Sequence, residues 1–370
     1  MSSRETSFEV TPNPSPASEA RRNEILAQPG FGRYFSDHMV EIDFAGGEWG
    51  RPRVAPYGPL TLDPATMVFH YGQAIFEGLK VYRWADGTLR AFRPEQNAER
   101  FNRSADRLAM PELSVDVFLD SLRELVAIDG AWTPEAGGEA ALYIRPFMIS
   151  TEIGLGVHPA DEYKFLMLAS PAGAYFSGGV SPVTVWFSRE YTRAAPGGTG
   201  AAKFAGNYAA SLKAQADAIE NNCDQVVWLD AREHRYIEEM GGMNLFFVYG
   251  SGADAEVVTP ELSGSLLPGI TRDSILRLAE QAGYKTSERL ISIEDVESAL
   301  DSGELTEVFA CGTAAVITPV GHFKGAGEDM VVGDGGSGPI SLSLRETLTG
   351  IQRGSVRDEN GWMVELGAAE

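Results

Sequence analysis

The chain has 370 residues, of which 44% are apolar and 22% charged, and its formal net charge is -22. That length exceeds one ordinary core and predicts two domains, and the composition is that of a soluble globular protein. The acidic balance excludes nucleic acid and anionic membrane surfaces as partners, but an anionic ligand can still be held locally by arginines and helix N-termini.

Met1 to Ala27 is polar, holds Pro12, Pro14 and Pro16, and reads as a mobile start without the apolar run of a signal peptide. Phe31 to Phe44, with Gly46, Gly47 and Gly50 behind it, predicts a strand and turn. Val68 to Arg83 is aromatic-rich and broken by Gly72 and Gly78 into a strand, a bend and a second strand. Gln96 to Leu108 predicts a helix on which Arg100, Arg103 and Arg107 share a face, either a solvated basic face or one with an inner arginine gripping a phosphate. Ser114 to Ile128 has helical apolar spacing. Ala140 to Ser150 alternates as a strand, placing Tyr143, Arg145 and Phe147 on one face, so Arg145 is either in a structural ion pair or an anion contact.

Tyr163 to Ala169 predicts another strand, and Ser170 to Ser181 has linker composition. The division expected is therefore 1–172, a linker at 173–182, and 183–370. Val183 to Ser188 opens the second half as a strand. Residues 197 to 208, Gly-Gly-Thr-Gly-Ala-Ala-Lys-Phe-Ala-Gly-Asn-Tyr, then carry Lys203 in a run with four glycines and no other charge. An amine desolvated among small residues is a nucleophile toward carbonyls, although a surface loop lysine fits the same pattern. Asn207 to Asn222 predicts a helix, and Gln225 to Asp230, Tyr236 to Glu238 and Leu245 to Tyr249 predict strands. Glu239 falls at the lip of a glycine turn, where a carboxylate is ordinarily solvated. Leu266 to Arg272 runs through Pro268 and Gly269 into a helix over Asp273 to Ala282, so the amides of Ile270 and Thr271 sit at an anion-binding helix start. Glu294 to Leu300 predicts a short helix. Leu305 to Val320 predicts strand, turn, strand, with Thr313 and Ala314 at the bend, and Ser341 to Arg353 a closing helix. Cys223 and Cys311 are the only cysteines, which fits a reducing cytoplasm, and the five histidines lack metal-ligand spacing, so no metal is expected.

A reactive lysine, a glycine-flanked carboxylate, a helix start and a threonine on a second glycine turn are the groups that pyridoxal phosphate requires. The stretches FGRYFSDHM (31–39), HYGQAIFEGLK (70–80), FRPEQNAERFNRSADRL (92–108), LYIRPFMISTEIGLGV (142–157), GGTGAAKFAGNYAASL (197–212), EEMGGMNLF (238–246), LLPGITR (266–272) and FACGTA (309–314) closely resemble the branched-chain-amino-acid aminotransferases of fold type IV. The resemblance implies an α+β, two-domain pyridoxal 5'-phosphate enzyme, with a smaller N-terminal α/β domain and a larger, β-rich C-terminal domain carrying the lysine.

It also implies roles. Lys203 would be the Schiff-base lysine, Tyr208 would bond the cofactor's phenolic oxygen, and Glu239 would bond its ring nitrogen. Arg100, the amides of Ile270 and Thr271, and Thr313 would hold the phosphate. Phe31, Phe76, Tyr143, Gly242 and Ala314 would line the substrate pocket, Tyr71 and Val157 would come from the partner of a homodimer, and Arg145 would receive the distal carboxylate of glutamate or 2-oxoglutarate. The reaction implied is ping-pong transamination of leucine, isoleucine and valine. Mammalian members resemble a redox-sensitive form with a C-x-x-C after the Gly-Thr-Ala turn, where this chain has Ala315 and Thr318, so no thiol switch is expected there. A D-amino-acid aminotransferase and an aminodeoxychorismate lyase share the lysine and carboxylate, and YIRPF and FEGLK favour the branched-chain group over both. A catalytically silent scaffold would need none of these grips.

Overall fold

The computed structural model describes residues 7–173 and 180–368, so most of the expected linker lies outside the described residues. The chain forms two compact units. The first takes the described part of Met1–Tyr175 with Ala202–Ala205 and Ile351–Glu370, and the second takes that of Phe176–Ala201 with Gly206–Gly350. A single cut was expected, with Lys203 in the later part. Instead the lysine strip groups with the first unit, because its backbone bonds there: Phe76 N–H donates to the Lys203 carbonyl at 3.1 Å, and Phe204 bridges Ile75.

The first unit is built on a sheet whose order is Glu9–Val10, Arg53–Pro56, His38–Ala45, Tyr163–Ala172, Ala141–Ser150, Leu79–Arg83, Thr88–Phe92 and Met363–Ala368. The long central pair runs antiparallel from Ala141↔Ala172 to Ser150↔Tyr163. Helices Pro94–Arg107 and Val115–Asp129 cover it. Proline at the start of the first suits a position whose N–H has no intrahelical acceptor. Its Ala98, Phe101 and Ala105, spaced three and four apart, are buried. Phe101 meets Phe165 edge-on at 5.6 Å and Phe118 at 5.8 Å. Each such ring stabilises the fold by roughly 1.5–3 kcal/mol through burial.

In the second unit, Ile237–Met240, Gln225–Leu229, Val183–Ser188, Val316–Lys324, Leu305–Gly312 and Met243–Tyr249 pair in that order, and the last pairs back with the first. Closure removes the open edges that a flat sheet exposes. Alternate residues of these strands, Val185 and Phe187, Val227 and Leu229, Leu245 and Phe247, Val308 and Ala310, form one buried core. Glu256–Pro260 and Lys285–Arg289 extend the sheet beyond Met243–Tyr249.

Several elements differ from expectation. The mobile start contains a helix, Glu19–Ala27, capped by the Ser18 hydroxyl on Arg21 N–H. Val68–Tyr71 is a single helical turn rather than a strand, and Gly72 ends it at φ 69°. Phe31–Asp37 precede their strand, which begins at His38, and the strand from Tyr163 runs on through Ser170 to Ala172. The helix expected over 207–222 is two, Ala205–Ala209 and Leu212–Glu220. Glu239 is not on a solvated turn lip; it lies within strand Ile237–Met240 and is 2% exposed.

Candidate active site

The candidate residues form two groups, one in each unit. In the first, the backbone of Lys203 is bonded on both sides, to Phe76 and to Ser104. Lys203 N–H donates to Ser104 Oγ at 2.9 Å, and its Nζ stands 4.9 Å from the centre of the Phe76 ring. Lys203 is half-buried rather than a free surface loop side chain. Arg100 is the inner arginine of its helix face: it is buried, whereas Arg103 and Arg107 are exposed. Its guanidinium grips Glu77 in two bonds, Nε to Oε1 at 2.7 Å and Nη2 to Oε2 at 2.8 Å. Burial works to raise the Glu77 carboxyl, but the charge and hydrogen bonds of Arg100, the charge of Lys203 and the Asn97 amide hold it below the usual carboxylate range.

Arg145 shares its strand face with Tyr143, whose hydroxyl accepts from Nη2 at 3.0 Å, and its guanidinium lies 4.9 Å from the Phe76 ring centre. Among the described residues no carboxylate pairs with Arg145, and its buried Nε has no partner. A half-buried guanidinium keeps its charge, so this arrangement favours an anion contact over a structural ion pair. Phe31 meets Tyr143 edge-on at 5.0 Å. Gly78 is required beside Tyr143, because a Cβ there would stand 2.0 Å from the hydroxyl. Tyr71 donates to the Leu155 carbonyl, and Val157 is 83% exposed.

In the second unit Glu239 is held from three sides. Its Oε1 accepts from Leu267 N–H at 2.6 Å and from Asn244 Nδ2 at 3.5 Å, and its Oε2 lies 3.1 Å from Arg193 Nη2. Arg193 supplies the counter-charge that a buried carboxylate requires. The segment continues through Pro268 and Gly269 into helix Ile270–Gln281, so Ile270 and Thr271 stand at the first turn. Only glycine suits position 269, since a Cβ would meet Asn244 Oδ1 at 2.0 Å. Tyr208, Gly241, Gly242 and Arg193 are among the residues lining a cavity of about 130 Å³. A Cβ on Gly242 would press on Tyr208 Cε1 at 3.3 Å. Thr313 and Ala314 occupy the turn between strands Leu305–Gly312 and Val316–Lys324, and both are half-buried.

Sequence reasoning missed Glu77, Ser104, Arg193 and Asn244. Glu77 carried a usable signal, a lone carboxylate in the otherwise uncharged run 71–79. Arg193 carried none, since it lies 46 positions before Glu239. The donor set suits a phosphorylated pyridine aldehyde. The first unit offers an amine, and the second offers a buried carboxylate with its own cation, a helix start whose N-cap glycine has no side chain to cap it, and in Arg193 a buried Nε without a partner. Among the described residues no His, Cys, Asp or Glu cluster could hold a metal ion.

The family model for class IV amino-transferases matches residues 74–323. The branched-chain-amino-acid aminotransferase of Mycolicibacterium smegmatis is 61% identical over 99% of this chain and 100% of its own. Among solved structures, the Escherichia coli branched-chain amino acid aminotransferase is 28% identical and superposes at a TM-score of 0.74, covering 90% of this chain and 99% of the other. A second solved branched-chain amino acid aminotransferase, from T.th. and holding pyridoxamine 5'-phosphate, is 27% identical at a TM-score of 0.75, covering 90% and 100%.

Proposed function

This chain belongs to the class IV aminotransferases, among the branched-chain-amino-acid enzymes, and from that membership we propose that it moves the amino group of leucine, isoleucine and valine onto 2-oxoglutarate, using pyridoxal 5'-phosphate in two alternating half-reactions. The observation that carries this reading is the bond from Leu267 N–H to Glu239 Oε1. It fixes a buried carboxylate to the segment that becomes an anion-binding helix start. Those are the grips for the two poles of a phosphorylated pyridine, its ring nitrogen and its phosphate.

When bound, the cofactor supplies an aldehyde that exchanges with amino groups and a ring that takes up the charge left at the substrate Cα. Lys203 would hold the cofactor's aldehyde carbon through its amine, and the same amine, when free, would serve as the base for the substrate Cα proton. Glu239 would keep a proton on the ring nitrogen, and Tyr208 would bond the phenolic oxygen. Arg100, which Glu77 orients, would bind the phosphate, and so would Thr313 and the amides of Ile270 and Thr271. Phe31, Phe76 and Tyr143, and in the second unit Gly242 and Ala314, would contact the aliphatic side chain, and Arg145 would take the distal carboxylate of glutamate.

We further propose a homodimer. Phe69, Tyr71, Ile153, Leu155 and Val157 are exposed apolar side chains. Their two segments are joined by the Thr66 to Ile153 bridge and the Tyr71 to Leu155 bond. A contiguous apolar face of this kind marks an interface. No helix of the described residues is long and apolar enough to cross a membrane, and two free buried cysteines suit the cytoplasm.

Borohydride reduction followed by peptide mass mapping tests the cofactor anchor. A pyridoxyl group is expected on Lys203 among the six lysines, and the Lys203→Ala variant is expected to lose turnover. A pyridoxyl group on another lysine, or wild-type turnover in the variant, would refute the assignment. L-leucine should be a donor to 2-oxoglutarate and D-alanine should not; the reverse preference would move the chain to a different class IV activity.

A further inference from the structure

Neighbouring side chains on a strand ordinarily point to opposite faces. Strand Ile237–Met240 breaks that rule. Its pairing with Gln225–Leu229 shifts register between Val227↔Met240 and Leu229↔Ile237, so Glu238 and Glu239 both stand opposite Trp228. A bulge of this kind re-aims a side chain, and such bulges concentrate beside active sites. Here it lets both carboxylates reach one short segment, Ser263–Leu267. Glu239 binds its far end, at Leu267 N–H. Glu238 binds its near end, where Oε1 accepts from Ser263 Oγ at 3.3 Å and from Ser265 Oγ, and the two hydroxyls lie 2.6 Å apart.

The Ser265 carbonyl in turn accepts from Arg193 Nη2 at 2.5 Å, and that nitrogen is the one paired with Glu239 Oε2. Gly200 packs so tightly on this carbonyl that a Cβ would stand 2.1 Å from it. Glu238 is therefore one bonded step from the residue that locates Arg193. It is 6% exposed, and its Oε2 is buried without a partner. Burial, opposed by the Ser265 hydroxyl, the Arg193 charge and Ser263, raises its carboxyl above the ordinary value. A buried carboxylate oxygen without a donor is destabilising.

We propose that Glu238 is a positioning residue for the transamination: it latches the Ser263–Leu267 segment so that the Ser265 carbonyl and Leu267 amide hold Arg193 and Glu239 in register for the cofactor ring. The inference rests on the role given to Glu239 above. Glu238 acts in this proposal through Ser265, without a contact of its own to substrate or cofactor. An alanine at 238 frees the two hydroxyls, whereas glutamine still offers an oxygen to both.

The test uses the holoenzyme and apoenzyme of four variants, E238A, E238Q, S265A and E239Q, with three readouts: the dissociation constant of pyridoxal phosphate for the apoenzyme, kcat against KM for L-leucine, and the melting temperature of the apoenzyme. For E238A the cofactor dissociation constant should rise and kcat fall by about tenfold each, the effect of losing one hydrogen bond to a charged group, with the leucine KM within about twofold. E238Q should recover both to within about threefold of wild type. S265A, which opens the latch from the other side, should move both in the direction of E238A, and it decides the matter if E238A does not fold. A lowered melting temperature in E238A with unchanged cofactor affinity and kcat would show a merely structural role and overturn the proposal, as would E238Q losing as much as E238A. If E239Q is itself silent, the reading of Glu239 has failed; if E239Q is impaired and E238A and S265A are not, the latch alone has failed.

Discussion

Removal of the Glu77 carboxylate tests whether Arg100 depends on an internal counter-ion. Glu77 is fully buried and the Arg100 side chain is 5% exposed, so Glu77→Ala leaves a guanidinium with two lost bonds and no water to replace them. Breaking a buried pair from one side costs about 3–5 kcal/mol. The Asn97 amide also loses its 2.8 Å bond to Oε2, adding roughly 1 kcal/mol. For a folding unit of this size 1 kcal/mol corresponds to about 2–4 °C, so the lower limit of that total, about 4 kcal/mol, predicts a fall in melting temperature of roughly 8–16 °C at pH 7. Replacing both partners, as Glu77→Leu with Arg100→Met, removes the stranded charge and should restore most of that loss, although cofactor binding would fail with Arg100 gone. The pH dependence has a definite sign. The folded carboxyl titrates below the ordinary glutamate value, so its contribution is present at neutral pH and is lost as pH falls through and below that value. The gap between wild type and Glu77→Gln, followed by circular dichroism melts from about pH 7 to about pH 4, should narrow in acid. A Glu77→Ala melt within about 3 °C of wild type, or a double variant as unstable as the single one, would refute the reasoning.

Arg193→Ala should lower kcat roughly a hundredfold by stripping Glu239 of its counter-charge, whereas a role confined to folding would lower only the melting temperature. Arg145→Gln should raise the KM for 2-oxoglutarate by roughly 10- to 150-fold, the worth of one hydrogen bond between charged groups, and change that for leucine by less than about threefold. Equal effects on both substrates in steady-state assays would remove Arg145 from its assigned contact. Peroxide should leave activity unchanged with or without reductant. Cys311 and Cys223 are buried, burial pushes both thiols up, and the thiolate is the form that oxidises. Reversible inactivation in the titration would contradict this.

Local chemistry along the chain was enough to indicate most of the elements and the chemistry-bearing residue types. Helical spacing marked Pro94–Arg107 and Val115–Asp129, strict alternation marked Ala141–Ser150, and Pro268-Gly269 marked the start of Ile270–Gln281, because each pattern is written within a dozen residues. Lys203 stood out for the same reason, a single charge among small neighbours. What depended on distant residues was not legible. Glu239 looked like a solvated turn residue until strand pairing buried it against Arg193. The burial of Arg100 and not Arg103 or Arg107 depends on Glu77, and the assignment of Ala202–Ala205 to the first unit depends on Phe76 and Ser104. Periodicity reports which side of an element avoids water. It says nothing of which residue meets it there, and for buried charges that partner, supplied by packing alone, decides whether the charge is tolerated.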